Sequence, residues 1–151
     1  MMTELQQMFI HSVGAFGGTL GYAFLLNAPL STVMPASLTG LLGYVLYEAL
    51  IRFSSCSMIF SYFFATVVIT VLCEIEARMM RMPSTIFLLT ALVPLVPGYT
   101  FYCAMLSLVE NNGQAAASYG LEAVQIVAAI AVGAAITSVV FRAITVRRKH
   151  V

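Results

Sequence analysis

Apolar residues in this chain do not alternate with polar ones; they run on in stretches of membrane length. Five such stretches lie at 8–27, 30–49, 53–73, 83–109 and 121–146. Each reaches about the 20 residues that a helix needs to cross a ~30 Å hydrocarbon core. Asn27-Ala28-Pro29 separates the first two as a tight turn, and Glu110-Asn111-Asn112-Gly113-Gln114 separates the last two as a polar loop. The second stretch contains Pro35, Gly40 and Gly43. Its alternative reading is a re-entrant or interfacial segment, which leaves four full spans. The pattern therefore predicts an all-α, polytopic membrane helix bundle of about five transmembrane helices, alternatively four. It forms a single integral-membrane domain over residues 1–151.

The fourth stretch is broken by Pro94-Leu95-Val96-Pro97-Gly98. Proline has no N–H and its ring collides with the carbonyl four residues back. In lipid the released groups must be satisfied by protein or beside a polar cavity. Pro94 deprives the carbonyl of Thr90 of its donor, and Pro97 does the same to Val93. Pro97 also fits the first position of a new helix, where its missing N–H costs nothing. The N–H groups of Gly98, Tyr99 and Thr100 would then form a helix start with partial positive charge, suited to a carboxylate. Gly98 removes bulk there, and Thr100 and Tyr102 add hydroxyls. The candidate substrate site is accordingly Thr90, Val93, Pro94, Pro97, Gly98, Tyr99, Thr100 and Tyr102, taking an amino acid by its carboxylate and ammonium. A simple packing kink is the competing reading.

Composition agrees with the pattern. Hydrophobic residues make up 61% and charged residues 9% of the 151. That is far below the roughly one quarter charged of a soluble domain. The net charge of +1 excludes the basic face that a nucleic-acid partner needs. The start, Met1 to Gln7, has no Lys or Arg before the first apolar run, so it reads as a retained first helix rather than a cleaved signal. The basic end, Arg142, Arg147, Arg148 and Lys149, is expected to be cytoplasmic, as are Arg78 and Arg81, while the loop at 110–120 carries no Lys or Arg. With five spans the N-terminus lies outside; with four it lies inside.

Few residues are equipped for chemistry. Glu74 and Arg78 are spaced for an i, i+4 pair and Arg81 lies one turn on. They are either an interfacial ion pair that ends a span or a charged gate below the broken helix. Glu48 and Arg52 repeat the spacing before Ser54-Ser55, which read as a water-facing turn. His11 stands alone in the first helix, a packed or interfacial histidine before it is a proton relay. Cys56, Cys73 and Cys103 have no metal or disulfide spacing and read as buried small hydrophobes. No nucleophile elbow, phosphate loop or zinc-binding helix appears, and His11 and His150 are too isolated for a catalytic set. No catalytic residue, metal or cofactor is expected. Gly14, Gly17, Gly18 and Gly21 form overlapping G-x-x-x-G pairs for close helix packing, within the chain or against another subunit.

Glu74-x-x-Ala77-Arg78, Pro83, the Pro94–Gly98 run, Tyr102 and Met105-Leu106 together resemble the membrane domain of the threonine/serine exporter family. The Gly-rich first helix, Asn27-x-Pro29 and Gly40-x-x-Gly43-Tyr44 extend the likeness over nearly the whole chain, and Tyr99-Thr100-Phe101 departs from it. In length the chain is similar to the small, YjjB-like subunit of the split, two-component type. The resemblance implies a secondary exporter of small polar metabolites, threonine and serine or dicarboxylates such as succinate, in the bacterial inner membrane. It also implies a larger membrane subunit as partner. Two other readings stay open: a non-transporting scaffold subunit, or a homo-oligomeric channel built on the glycine face.

Overall fold

The computed structural model describes residues 4–53 and 57–148, with side chains over 6–53 and 57–143. Ser54, Ser55, Cys56, Lys149 and His150, and the side chains of Arg147 and Arg148, lie outside the described residues. Among the described residues six α-helices follow one another: α1 (Glu4–Leu25), α2 (Leu30–Phe53), α3 (Met58–Met80), α4 (Ser84–Ala91), α5 (Gly98–Val109) and α6 (Gly113–Arg148). A single 3₁₀ turn, Val93–Leu95, lies between α4 and α5. The second apolar stretch is a continuous helix of 24 residues with Pro35 inside it, not a re-entrant segment. The polar loop is shorter than its composition predicts, because Gly113 and Gln114 already belong to α6.

Three of the helices end in the same way. Asn27, Arg81 and Asn111 take left-handed backbone angles (φ 50°, 55° and 57°). The N–H groups of Ala28, Met82 and Asn112 donate back five residues to Ala23, Ala77 and Ser107 at 3.0, 2.9 and 2.9 Å. This is the Schellman closure, which satisfies carbonyls that a helix end leaves bare. Pro29 and Pro83 follow two residues later and prevent the helix from resuming. Asn112 then opens α6, its Oδ1 accepting from the N–H of Ala115 at 3.2 Å.

Helix α3 is the centre of the bundle, packing on α2, α4 and α6. Its buried stripe, Tyr62, Ala65, Ile69, Cys73 and Ala77, has the three- and four-residue steps of one helix face. Phe87, Ala91 and Leu95 from the broken segment and Ile126 and Ala129 from α6 complete the core. Small residues set the helix spacing. A Cβ on Gly40 would lie 2.7 Å from Thr19 Cγ2 and 3.1 Å from the Ala91 carbonyl oxygen. One on Gly43 would overlap Ile69, and one on Gly133 would lie 3.2 Å from the Phe63 carbonyl oxygen.

The glycines of α1 behave differently. A Cβ at Gly14, Gly17, Gly18 or Gly21 would meet nothing within 4 Å. Packing within the chain is therefore not their use; α1 meets α2 along another face, through His11 and Thr19.

Contacts between α3 and α6 decide the number of spans. Ile59 and Phe60 share a groove with Gln125, Phe63 and Thr66 meet Gly133, and Arg78 meets Phe141. Both numbers rise together, so α3 and α6 run in the same direction. The chain must recross between them, and α4 and α5, bent by 54°, do so as one broken span. With the four other helices that are long and apolar enough, this makes five.

Replacing Gly40 by Val forces the α1–α2–α4 junction apart, at a cost of about 1–3 kcal/mol. The open Gly18 should tolerate Ala within about 0.5 kcal/mol. Thermal unfolding in detergent distinguishes the two, and equal effects would contradict the packing.

Candidate functional site

The break lies near mid-depth, level with Gly40 of α2 and with Val127 and Ile130 near the middle of the spanning part of α6. Its backbone is largely satisfied by tightening rather than left bare. Leu95 N–H donates to the Leu92 carbonyl at 2.9 Å and Val96 N–H to that of Val93 at 3.2 Å. Pro97 (φ −76°, ψ 57°) forms an inverse γ-turn in which Gly98 N–H donates to the Val96 carbonyl at 2.7 Å. Helix α5 then starts with Phe101 N–H on the Pro97 carbonyl at 3.1 Å. Leu95, nearly inaccessible, pins the turn into the core.

This geometry corrects two expectations. The Val93 carbonyl is occupied by Val96, and the Gly98 N–H by Val96 in turn. The groups that remain at the helix start are the N–H groups of Tyr99 and Thr100, with no side-chain cap from Pro97. They are two donors where the sequence pointed to three.

A cavity of about 690 Å³ opens beside the break. Val93, Pro97 and Gly98 line it, as the sequence predicts, together with Leu89, Leu92 and Val96 of the same segment. Tyr22 of α1 and Val127 and Ile130 of α6 form the facing walls. Other predicted site residues point elsewhere. Thr90 is buried and donates to the Ile86 carbonyl at 3.1 Å, Pro94 is half-buried in the 3₁₀ turn, and Thr100 is buried. Tyr99 and Tyr102 are 79% and 61% exposed on the outside of α5. The phenol that does border the cavity, Tyr22, was missed. Its signal was present: Gly18 and Tyr22 are four apart on α1, so the residue shares a face with the open glycines.

A family model described as Threonine/Serine exporter, ThrE, matches residues 11–140, a range that contains the broken span whole. The chain belongs to the threonine/serine exporter family. No curated protein and no solved structure matches it. In this exporter-family chain the matched range covers the five spans apart from the extreme ends of α1 and α6.

The proposed gate is arranged differently from its spacing. Arg78 reaches α6 rather than Glu74: its Nη2 donates to the Phe141 carbonyl at 3.2 Å and its guanidinium lies 5.0 Å from the Phe141 ring centre. Arg81 supplies the left-handed residue that closes α3 and is exposed. Glu74, Arg78 and Arg81 thus do not form one cluster.

Charge gathers instead at Glu48. Its side chain is only 8% exposed, yet its Oε1 receives His11 Nδ1 at 3.1 Å and Arg52 Nη2 at 3.3 Å. The expected Glu48–Arg52 pair is present, but its carboxylate is buried and is joined by a histidine from α1. The rings of Tyr44, Tyr47 and Tyr62 pack beside it at tilted angles, with centroids 6.0 and 4.4 Å apart. A second carboxyl, Glu76, accepts from Thr39 Oγ1 across the α2–α3 seam. Cys73 is buried and Cys103 half-buried, both as free thiols. Among the described residues no group of three or more His, Cys, Asp or Glu is placed to hold a metal ion.

Because His11 and Glu48 touch, His11→Ala and Glu48→Gln are expected to be non-additive by about 0.5–3 kcal/mol in a double-mutant cycle of unfolding. Additive losses would show that the α1–α2 contact is not made.

Proposed function

We propose that this chain is the small subunit of a two-component secondary exporter that moves small polar metabolites out of the cytoplasm of a bacterium. Threonine and serine are the first candidates, by family; dicarboxylates such as succinate come second. The observation that carries the reading is the cavity of about 690 Å³ beside a mid-membrane helix break. Broken helices near the bilayer midplane are how many secondary transporters present backbone dipoles to a substrate.

One chain supplies part of such a site. The walls are apolar, with the Tyr22 hydroxyl and the Tyr99 and Thr100 N–H groups as the nearby polar donors. Those donors suit a carboxylate at a helix start. A zwitterion needs further groups for its ammonium, and a larger partner subunit is the proposed source. Tyr22, Val96, Gly98 and Val127 are all exposed, so the cavity stays open on a side that a partner helix can close. This favours the two-subunit reading over a passive scaffold.

For orientation, the parallel course of α3 and α6 puts the 81–83 turn and the end of α6 on one side of the membrane. All the Lys and Arg of the chain except Arg52 follow or close those two helix ends. That side is the proposed cytoplasmic one, with the 110–112 turn and the N-terminus outside. The plasma membrane of a bacterium is the proposed location.

Gly98 lines the cavity and a Cβ there meets nothing within 4 Å. Gly98→Leu should therefore leave the co-expressed complex at normal yield while threonine, serine and succinate export falls. Normal export with a leucine in the cavity would remove the site. A reporter fused after Val151 should read cytoplasmic and one inserted at Asn112 periplasmic; the reverse pattern would overturn the orientation.

A further inference from the structure

Two carboxyl groups in this bundle each have one oxygen that is shielded from solvent and has no hydrogen-bond partner: Glu48 Oε2 and Glu76 Oε2. Their surroundings differ. Glu48 has a guanidinium at 3.3 Å and an imidazole at 3.1 Å. It is compensated as an anion. At Glu76 the partner is the Thr39 hydroxyl, which is neutral.

Among the described residues no cation pairs with Glu76. Helix α2 meets it through Thr39, and the titratable residues of α2, Tyr44, Tyr47, Glu48 and Arg52, lie five or more residues further along. Helix α4, Ser84–Ala91, contains no titratable residue. On α6 the titratable side chains described are Tyr119, Glu122 and Arg142. On α3 itself Cys73 and Glu74 are one turn or less away, and Arg78 is engaged with Phe141. Glu76 is half-buried, and an ionised carboxylate there would be desolvated at Oε2 with one neutral hydrogen-bond partner at Oε1, whereas the neutral acid carries a much smaller cost.

Position gives this proton a use. Thr39 is followed by Gly40, whose Cα face lies against the backbone of Ala91, the last residue of α4 before the break. Glu76, Thr39, Gly40 and Ala91 thus form a line from the carboxyl to the residue before Leu92, which lines the cavity.

We propose that Glu76 is a proton-carrying site, neutral in the conformation described, whose loss and recovery of one proton moves the α2–α4 contact that leads into the cavity. When the α2–α3 seam opens, the acid gives its proton to water and the carboxylate is held by the water admitted. Reclosing the seam requires a proton to return to the same carboxyl. The coupling role rests on the export reading; the presence of the proton does not.

Dicyclohexylcarbodiimide tests the proton directly, since it adds to a protonated carboxyl in apolar surroundings and leaves a stable N-acylurea. In native membranes containing the co-expressed complex, mass spectrometry should find the adduct at Glu76, forming more slowly as the pH is raised. Glu48, paired with Arg52, should stay unmodified, and Glu76→Gln should abolish the labelled peptide. An adduct at Glu48 with none at Glu76, or labelling of Glu76 that ignores pH, would overturn the proposal. Glu76→Gln also keeps an acceptor for Thr39, so the fold should persist. With threonine as the probe, this variant should retain downhill efflux and lose its response to an imposed proton gradient. A full gradient response in the Gln variant would equally defeat the proposal. A wild-type complex that moves none of threonine, serine and succinate would defeat the export reading alone, and the labelling would still decide Glu76.

Discussion

A helix interrupted in hydrocarbon must find partners for every backbone group it releases, and this requirement governs the whole bundle. Here the break between α4 and α5 is met by a 3₁₀ turn and an inverse γ-turn, which bring the donors of Leu95, Val96 and Gly98 onto nearby carbonyls. Tight turns alone do not hold a bend in place. Burial of Leu95 and Pro97 against the core does, and that in turn requires α1, α2 and α4 to approach closely. Gly40 permits the approach by leaving room for Thr19 and the Ala91 backbone. The cavity is what remains on the far side, where α6 stands off from the bent segment.

Most of the fold was legible in the sequence because membrane helices announce themselves by length and apolarity. Two turns were legible too, through Asn27-Ala28-Pro29 and the polar segment that starts at Glu110. Span number was legible to within one: the second stretch, with Pro35, Gly40 and Gly43, also suits a re-entrant segment, and the continuous α2 helix removes that alternative. Pattern also left the partner of the α1 glycines open, because four-residue spacing shows that a face is smooth and says nothing of which neighbour it meets.

The site was half legible. Val93, Pro97 and Gly98 follow from proline chemistry, but Tyr22, Val127 and Ile130 come from helices distant in sequence. The reading of free donors at Gly98 failed because a γ-turn absorbs that N–H locally, an option that counting i→i−4 bonds overlooks. The same applies to His11 and Glu48. His11 looks isolated along the chain and Glu48 is spaced for Arg52 alone, yet a hairpin folded at residues 27–29 places them side by side. Arg78 shows the opposite error: helical spacing offered it Glu74, while the neighbouring helix offered a carbonyl and a ring.

Helix α6 has 36 residues, about 54 Å at 1.5 Å per residue, against a hydrocarbon core of ~30 Å. A helix of that length spans with tilt or extends past the hydrocarbon, and its tilt is set by the helices packed on it. Val127 and Ile130 on α6 form one wall of the cavity, and α5 packs on α6 rather than on the α1–α4 core. Leu89, Leu92 and Val93 form the opposite wall on the bent segment, which is anchored to α2 and α3. Any tilt of α6 against the anchored bent segment would therefore widen or narrow the cavity between them.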